Sequence, residues 1–81
     1  MSIEKLREVL DGFGIGSDIV QFGGLPNEAF VIEPHNDGWR VFYSERGIRT
    51  GELWFEDEEE AVDALLALLA SDSSLGLAGG R

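Results

Sequence analysis

Few residues in this 81-residue chain are of a type that does chemistry, and their spacing assembles none. His35 is the only histidine and cysteine is absent, so neither a Cys–His dyad nor a thiolate zinc site can form. His35 flanks an expected hairpin turn and reads as a solvent-exposed turn residue. Ser44 lacks the G-x-S-x-G context of a hydrolase nucleophile. The glycine-rich runs GFGIG and FGGLP complete neither GxxxxGK[ST] nor a GxGxxG that follows a strand, so they do not read as phosphate cradles. Seven of the sixteen acids crowd between Glu52 and Asp63, but without the D-x-[DN]-x-[DN]-G spacing that converges oxygens on calcium. No catalytic residue, cofactor or metal site is expected, and the chain reads as non-enzymatic.

Composition narrows the partners. Sixteen acidic against six basic residues give a formal charge of −10. Nucleic acids and anionic membranes both demand clustered Lys and Arg, so neither is expected as a partner. A basic protein would be steered toward such a chain. No apolar run approaches the roughly 20 residues of a membrane span. The N-terminus MSIEKLREVL mixes charge with apolar residues and is no secretory signal, which points to the cytoplasm.

The elements that would position these residues follow from periodicity. Ser2 reads as an N-cap, with Ile3, Leu6, Val9, Leu10 and Phe13 at helical spacing, predicting a helix from about Ser2 to Asp11. The glycine-rich stretch from Gly12 to Asn27 reads as loop, with Asp18 to Phe22 as a short extended segment. Three strand-like runs follow: Glu28 to Glu33, Trp39 to Ser44 and Arg49 to Phe55. Pro34 ends the first run or places it at an edge, and Asp37-Gly38 signals a hairpin. The short connections demand an antiparallel meander. Asp57 with Glu60 resembles a capping box, and a helix with a wide apolar face should run from Glu58 to Ala70. The predicted fold is therefore α+β, in the order αβββα, as one domain over residues 1–70. Residues 71–81, SDSSLGLAGGR, read as a disordered tail.

Strand alternation sorts the sheet into two faces. Phe30, Ile32, Trp39, Val41, Tyr43, Leu53 and Phe55 share one face, which should carry the C-terminal helix. The other face mixes Val31, Phe42 and Trp54 with Glu33, Arg40 and Glu52. Two readings of those aromatics stay open. The first helix or the glycine-rich loop covers them, or they form a partner or dimer surface rimmed by charge.

The stretch from Trp39 to Leu69 resembles small bacterial immunity-type proteins encoded beside polymorphic secreted toxins. The likeness is an aromatic-rich strand ending in Y-S-E-R-G, a short variable strand, then F-x-x-E-x-E-A and a helix. It is carried by Trp39, Val41, Tyr43, Ser44, Glu45, Arg46, Gly47, Phe55, Glu58, Glu60 and Ala61. The resemblance implies a protein that binds and neutralises a cognate toxin inside the producing cell, with a basic toxin domain as partner. Charge would speed that association, and aromatic contacts would slow release. The contact residues expected on this reading are Phe42, Trp54, Glu45, Arg46, Glu52, Glu56, Asp57, Glu58 and Glu59. The alternative is a small homodimeric structural or regulatory domain that uses the Phe42/Trp54 face on itself.

Overall fold

The computed structural model describes residues 1–71, which form an α+β fold of two helices and a four-stranded mixed sheet. The elements are α1 (Ile3–Gly12), β1 (Val20–Gln21), β2 (Ala29–His35), β3 (Gly38–Glu45), β4 (Ile48–Phe55) and α2 (Glu58–Ser71), with the strands lying in the order β1-β2-β3-β4. The expected three-stranded meander is present as β2, β3 and β4. It is extended by a short strand that sequence reading left as an extended segment: β1 pairs parallel to β2, Val20 beside Phe30 and Gln21 beside Val31. The order is thus αββββα rather than αβββα. Ser71, expected to begin the tail, is the last residue of α2, and residues 72–81 lie outside the described residues.

Local chemistry explains the elements. The Ser2 hydroxyl accepts from the Lys5 N–H at 3.1 Å and caps α1. A second cap is tertiary: the Ile3 N–H donates to Glu58 Oε2 at 2.6 Å, so the start of α2 satisfies an orphan donor of α1. Asp57 accepts from the Glu59 N–H at a long 3.4 Å, and among the described residues Glu60 closes no reciprocal capping-box bond. Pro34 lies inside β2, opposite Trp39, because β1 reaches only Phe30 and Val31 and leaves that end of β2 an open edge. In the first hairpin the positive φ falls on Asn36, at 56°. Gly38 is required for a different reason: a Cβ there would sit 2.4 Å from the Phe55 carbonyl oxygen.

Both helices lie on one face of the sheet. Leu6 and Leu10 of α1 and Ala61, Val62, Leu65 and Leu69 of α2 join Val20, Ile32 and Val41 in a buried core. Phe30, Trp39 and Phe55 pack against it half-buried, and Phe30 meets Tyr43 edge-on at 5.0 Å. Leu53, expected with them, is left 43% exposed because β4 is the sheet's outer strand.

The opposite face is covered by the loop before β2, not by α1. Three hydrogen bonds fasten that loop: Gly24 N–H to Glu33 Oε1, Ser44 Oγ–H to the Pro26 carbonyl, and Arg46 N–H to Asn27 Oδ1. Beneath it Ala29, Val31, Phe42 and Ser44 are buried. A bulge in β4 then resets the alternation. Val41 pairs with Leu53 but Tyr43 pairs with Thr50, and Gly51 takes φ 63° to absorb the extra residue. Strict alternation would put Arg49 on the helix face beside Leu53. The bulge turns it to the other face, where its guanidinium and that of Arg40 each lie 5.5 Å from the Phe42 ring centroid.

Candidate functional site

The expected contact residues separate into three groups in space. Phe42 is fully buried, at 0% exposure, between the fastened loop and the Arg40 and Arg49 guanidiniums. It cannot meet a partner without opening the fold, so its expected place at the surface is corrected to a place in the core. Its neighbour on the same face, Trp54, is 62% exposed. The loop reaches Pro26 and Ser44 at one end of that face but does not extend to Trp54 at the other.

Among the acids, several are already engaged. Arg40 Nε and Nη2 hold Glu33 Oε2, and Arg40 Nη1 lies 3.1 Å from Glu52 Oε2. All three side chains are mostly buried, so Glu52 balances Arg40 before it can serve a partner. Glu58 is half-buried and holds the start of α1. Asp57 caps α2 while remaining exposed, and Glu56 and Glu59 are exposed beside it. Glu45 and Arg46 are also exposed, but at the β3–β4 turn, the far end of an eight-residue strand. At about 3.3 Å per residue that is roughly 25 Å from Glu56.

The structure therefore sets Trp54 beside Glu56, with Asp57 and Glu59 exposed further along the chain at the start of α2, and leaves Glu45 and Arg46 apart. Trp54 and Glu56 line a shallow hollow of about 340 Å³ together with His35, Asn36, Asp37, Gly38, Trp39 and Phe55. The other six were not expected at a site. His35, read as an exposed turn residue, is half-buried, and Asp37 and Trp39 border the same hollow. The signal for them is register: Trp39 lies opposite Phe55 and Arg40 opposite Trp54, so the β2–β3 turn must stand beside the end of β4. The exposed Trp54 indole with the Glu56 carboxylate at the same hollow suits a basic side chain, which gains both cation–π attraction and an ion pair.

Two further hollows carry less. One of about 700 Å³ runs between α1 and the glycine-rich segment, with the Arg7 guanidinium stacked 4.1 Å over Phe22. A smaller apolar slot lies between the ends of α1 and α2, next to Phe13, which is 68% exposed. Among the described residues no group of three or more His, Asp or Glu gathers as metal ligands do, and no helix is long and apolar enough to cross a membrane. Compared with family models, with curated proteins and with solved structures, the chain finds no match.

Proposed function

We propose that this chain is a non-enzymatic, acidic protein-binding module of the cytoplasm, an immunity protein that binds and neutralises a cognate bacterial toxin with a basic surface. One observation carries the reading: Trp54, a large aromatic, stands exposed on an outer strand at a hollow it shares with the exposed Glu56, and the exposed Asp57 and Glu59 follow along the chain. Indoles of this kind anchor protein interfaces, and a charged rim steers the partner without needing burial. The hollow beside Trp54 and Glu56 would take a lysine or arginine side chain of the toxin. The net charge of −10 supports a basic partner over nucleic acid or an anionic membrane. Of the contact residues expected from sequence, Trp54, Glu56, Asp57 and Glu59 remain as the principal surface, with Glu45 and Arg46 as a second, distant one.

The test is capture of partners by the tagged chain from its native cells at low and raised salt, followed by co-expression of the captured basic protein with wild-type or Trp54→Ala chain. A toxin whose growth arrest is relieved by the wild-type chain, and relieved far less by Trp54→Ala, supports the proposal. Capture of no basic protein under conditions where neighbouring genes are expressed would overturn it.

A further inference from the structure

β4 is an open edge. It pairs with β3 on one side only, so its outward backbone N–H and C=O groups form a template for another strand. Natural edges are commonly blunted by proline, lysine or a bulge, and of these β4 has only the bulge at Gly51. The strand presents Ile48 at 62%, Leu53 and Trp54 to solvent.

Charge is uneven along this edge. Arg46 and Arg49 stand with Glu45 at its beginning, and Glu56 and Asp57 beyond its end, while Glu52 between them is engaged by Arg40. Two copies laid antiparallel bring each basic end against the other's acidic end, whereas a parallel arrangement sets like against like. Side-chain direction then limits the register. Thr50, Leu53 and Phe55 pair with Tyr43, Val41 and Trp39 on the helix face, while Arg49 and Trp54 pair with Ser44 and Arg40 on the other. A slip of one residue would mismatch every face. The register that uses the whole strand sets Ile48 opposite Phe55, Arg49 opposite Trp54 and Thr50 opposite Leu53, joining like faces throughout. The Arg49 guanidinium then meets the Trp54 indole, with Glu52 and Glu56 as diagonal neighbours within reach of a long side chain. The two-fold axis falls between Gly51 and Glu52, so each Gly51 faces the other copy's Glu52 and leaves it room.

We infer that β4 pairs antiparallel with β4 of a second copy of this chain, in that register, giving one sheet continuous across two protomers. The pairing covers Trp54, so a toxin at that site competes with the second copy. Self-pairing itself stands independently of the toxin reading.

The test is sedimentation velocity on the full chain from about 1 µM to about 1 mM, with amide NMR spectra over the same range. Strand-edge contacts belong to the small, weak class of interfaces. The mass is therefore expected to approach that of two chains only in the upper part of the range, with concentration-dependent shifts at Ile48, Thr50, Leu53 and Trp54. Arg49→Glu and Glu56→Arg are each expected to weaken association roughly tenfold. The double reversal restores it, which damage to the fold would not do. A chain that stays monomeric throughout overturns the inference. So does a dimer indifferent to both reversals, or one whose shifts map to Phe13 and the helix ends. If β4 responds only when a basic partner is added, the edge serves that partner alone and self-pairing is wrong.

Discussion

Phe42→Ala and Trp54→Ala, made separately, are expected to differ by several kcal/mol although both side chains leave the same face of the sheet. Phe42 is fully buried, and truncating a buried phenylalanine costs about 3 to 5 kcal/mol through lost transfer energy and the cavity left behind. The covering loop is held by Glu33, Ser44 and the Arg46 N–H, which limits how far it can settle into the space. The upper half of that range, about 4 kcal/mol, is therefore expected. Loss of the ring also strips the Arg40 and Arg49 guanidiniums of an aromatic neighbour, worth less than about 1 kcal/mol each at partly exposed sites. A chain of this length has a total stability of about 4 to 12 kcal/mol, so the variant sits close to unfolding. Trp54, at 62% exposure, should change stability by no more than about 0.5 kcal/mol. Urea denaturation followed by far-ultraviolet circular dichroism reads both. With a slope near 1.3 kcal/mol per molar, roughly the value for a small domain, Phe42→Ala lowers the midpoint by about 3 M and Trp54→Ala barely moves it. A cost under about 1 kcal/mol for Phe42→Ala, or over about 2 kcal/mol for Trp54→Ala, would refute the placement of the loop over one ring and not the other.

Gly38→Ala must push a Cβ away from the Phe55 carbonyl oxygen, 2.4 Å distant and part of the backbone, so about 1 to 3 kcal/mol should be lost in thermal or urea melts. A wild-type melting temperature in that variant would mean β3 and β4 are not so closely joined there. Arg40→Leu leaves Glu33 and Glu52 facing each other without their cation at low exposure, and about 3 kcal/mol should be lost. Most of it should return in the triple variant that also carries Glu33→Gln and Glu52→Gln. No recovery would show that Arg40 acts through packing alone.

The residues that folded as their sequence implied did so through short-range physics. Ser2 caps α1, the apolar spacing of Ala61, Val62, Leu65 and Leu69 buries one stripe of α2, and the alternation in β2 and β3 sends Ile32 and Val41 to the helices. Each signal lies within a few residues, where a cap, a helical repeat or a pleat acts directly on its neighbours. The candidate site was legible only in part for the same reason. Trp54 and Glu56 are adjacent to the strand end that sequence located, but His35, Asp37 and Trp39 join them through strand register.

What only the tertiary structure decided depends on groups far apart in the chain. The Glu58 carboxylate that holds Ile3 is 55 positions away, and the Ser44 hydroxyl that fastens Pro26 is 18 away. β1 is two residues long and exists as a strand because β2 offers it an edge. Glycine inside a strand favours a bulge, yet the consequence of Gly51 for Arg49 follows from how β3 and β4 align. Phe42 and Trp54 illustrate the division most directly. Sequence put both on one face of the sheet, because alternation is local. Which of them met water was settled by the path of the 22–28 loop, and that path is fixed by groups it meets only after folding.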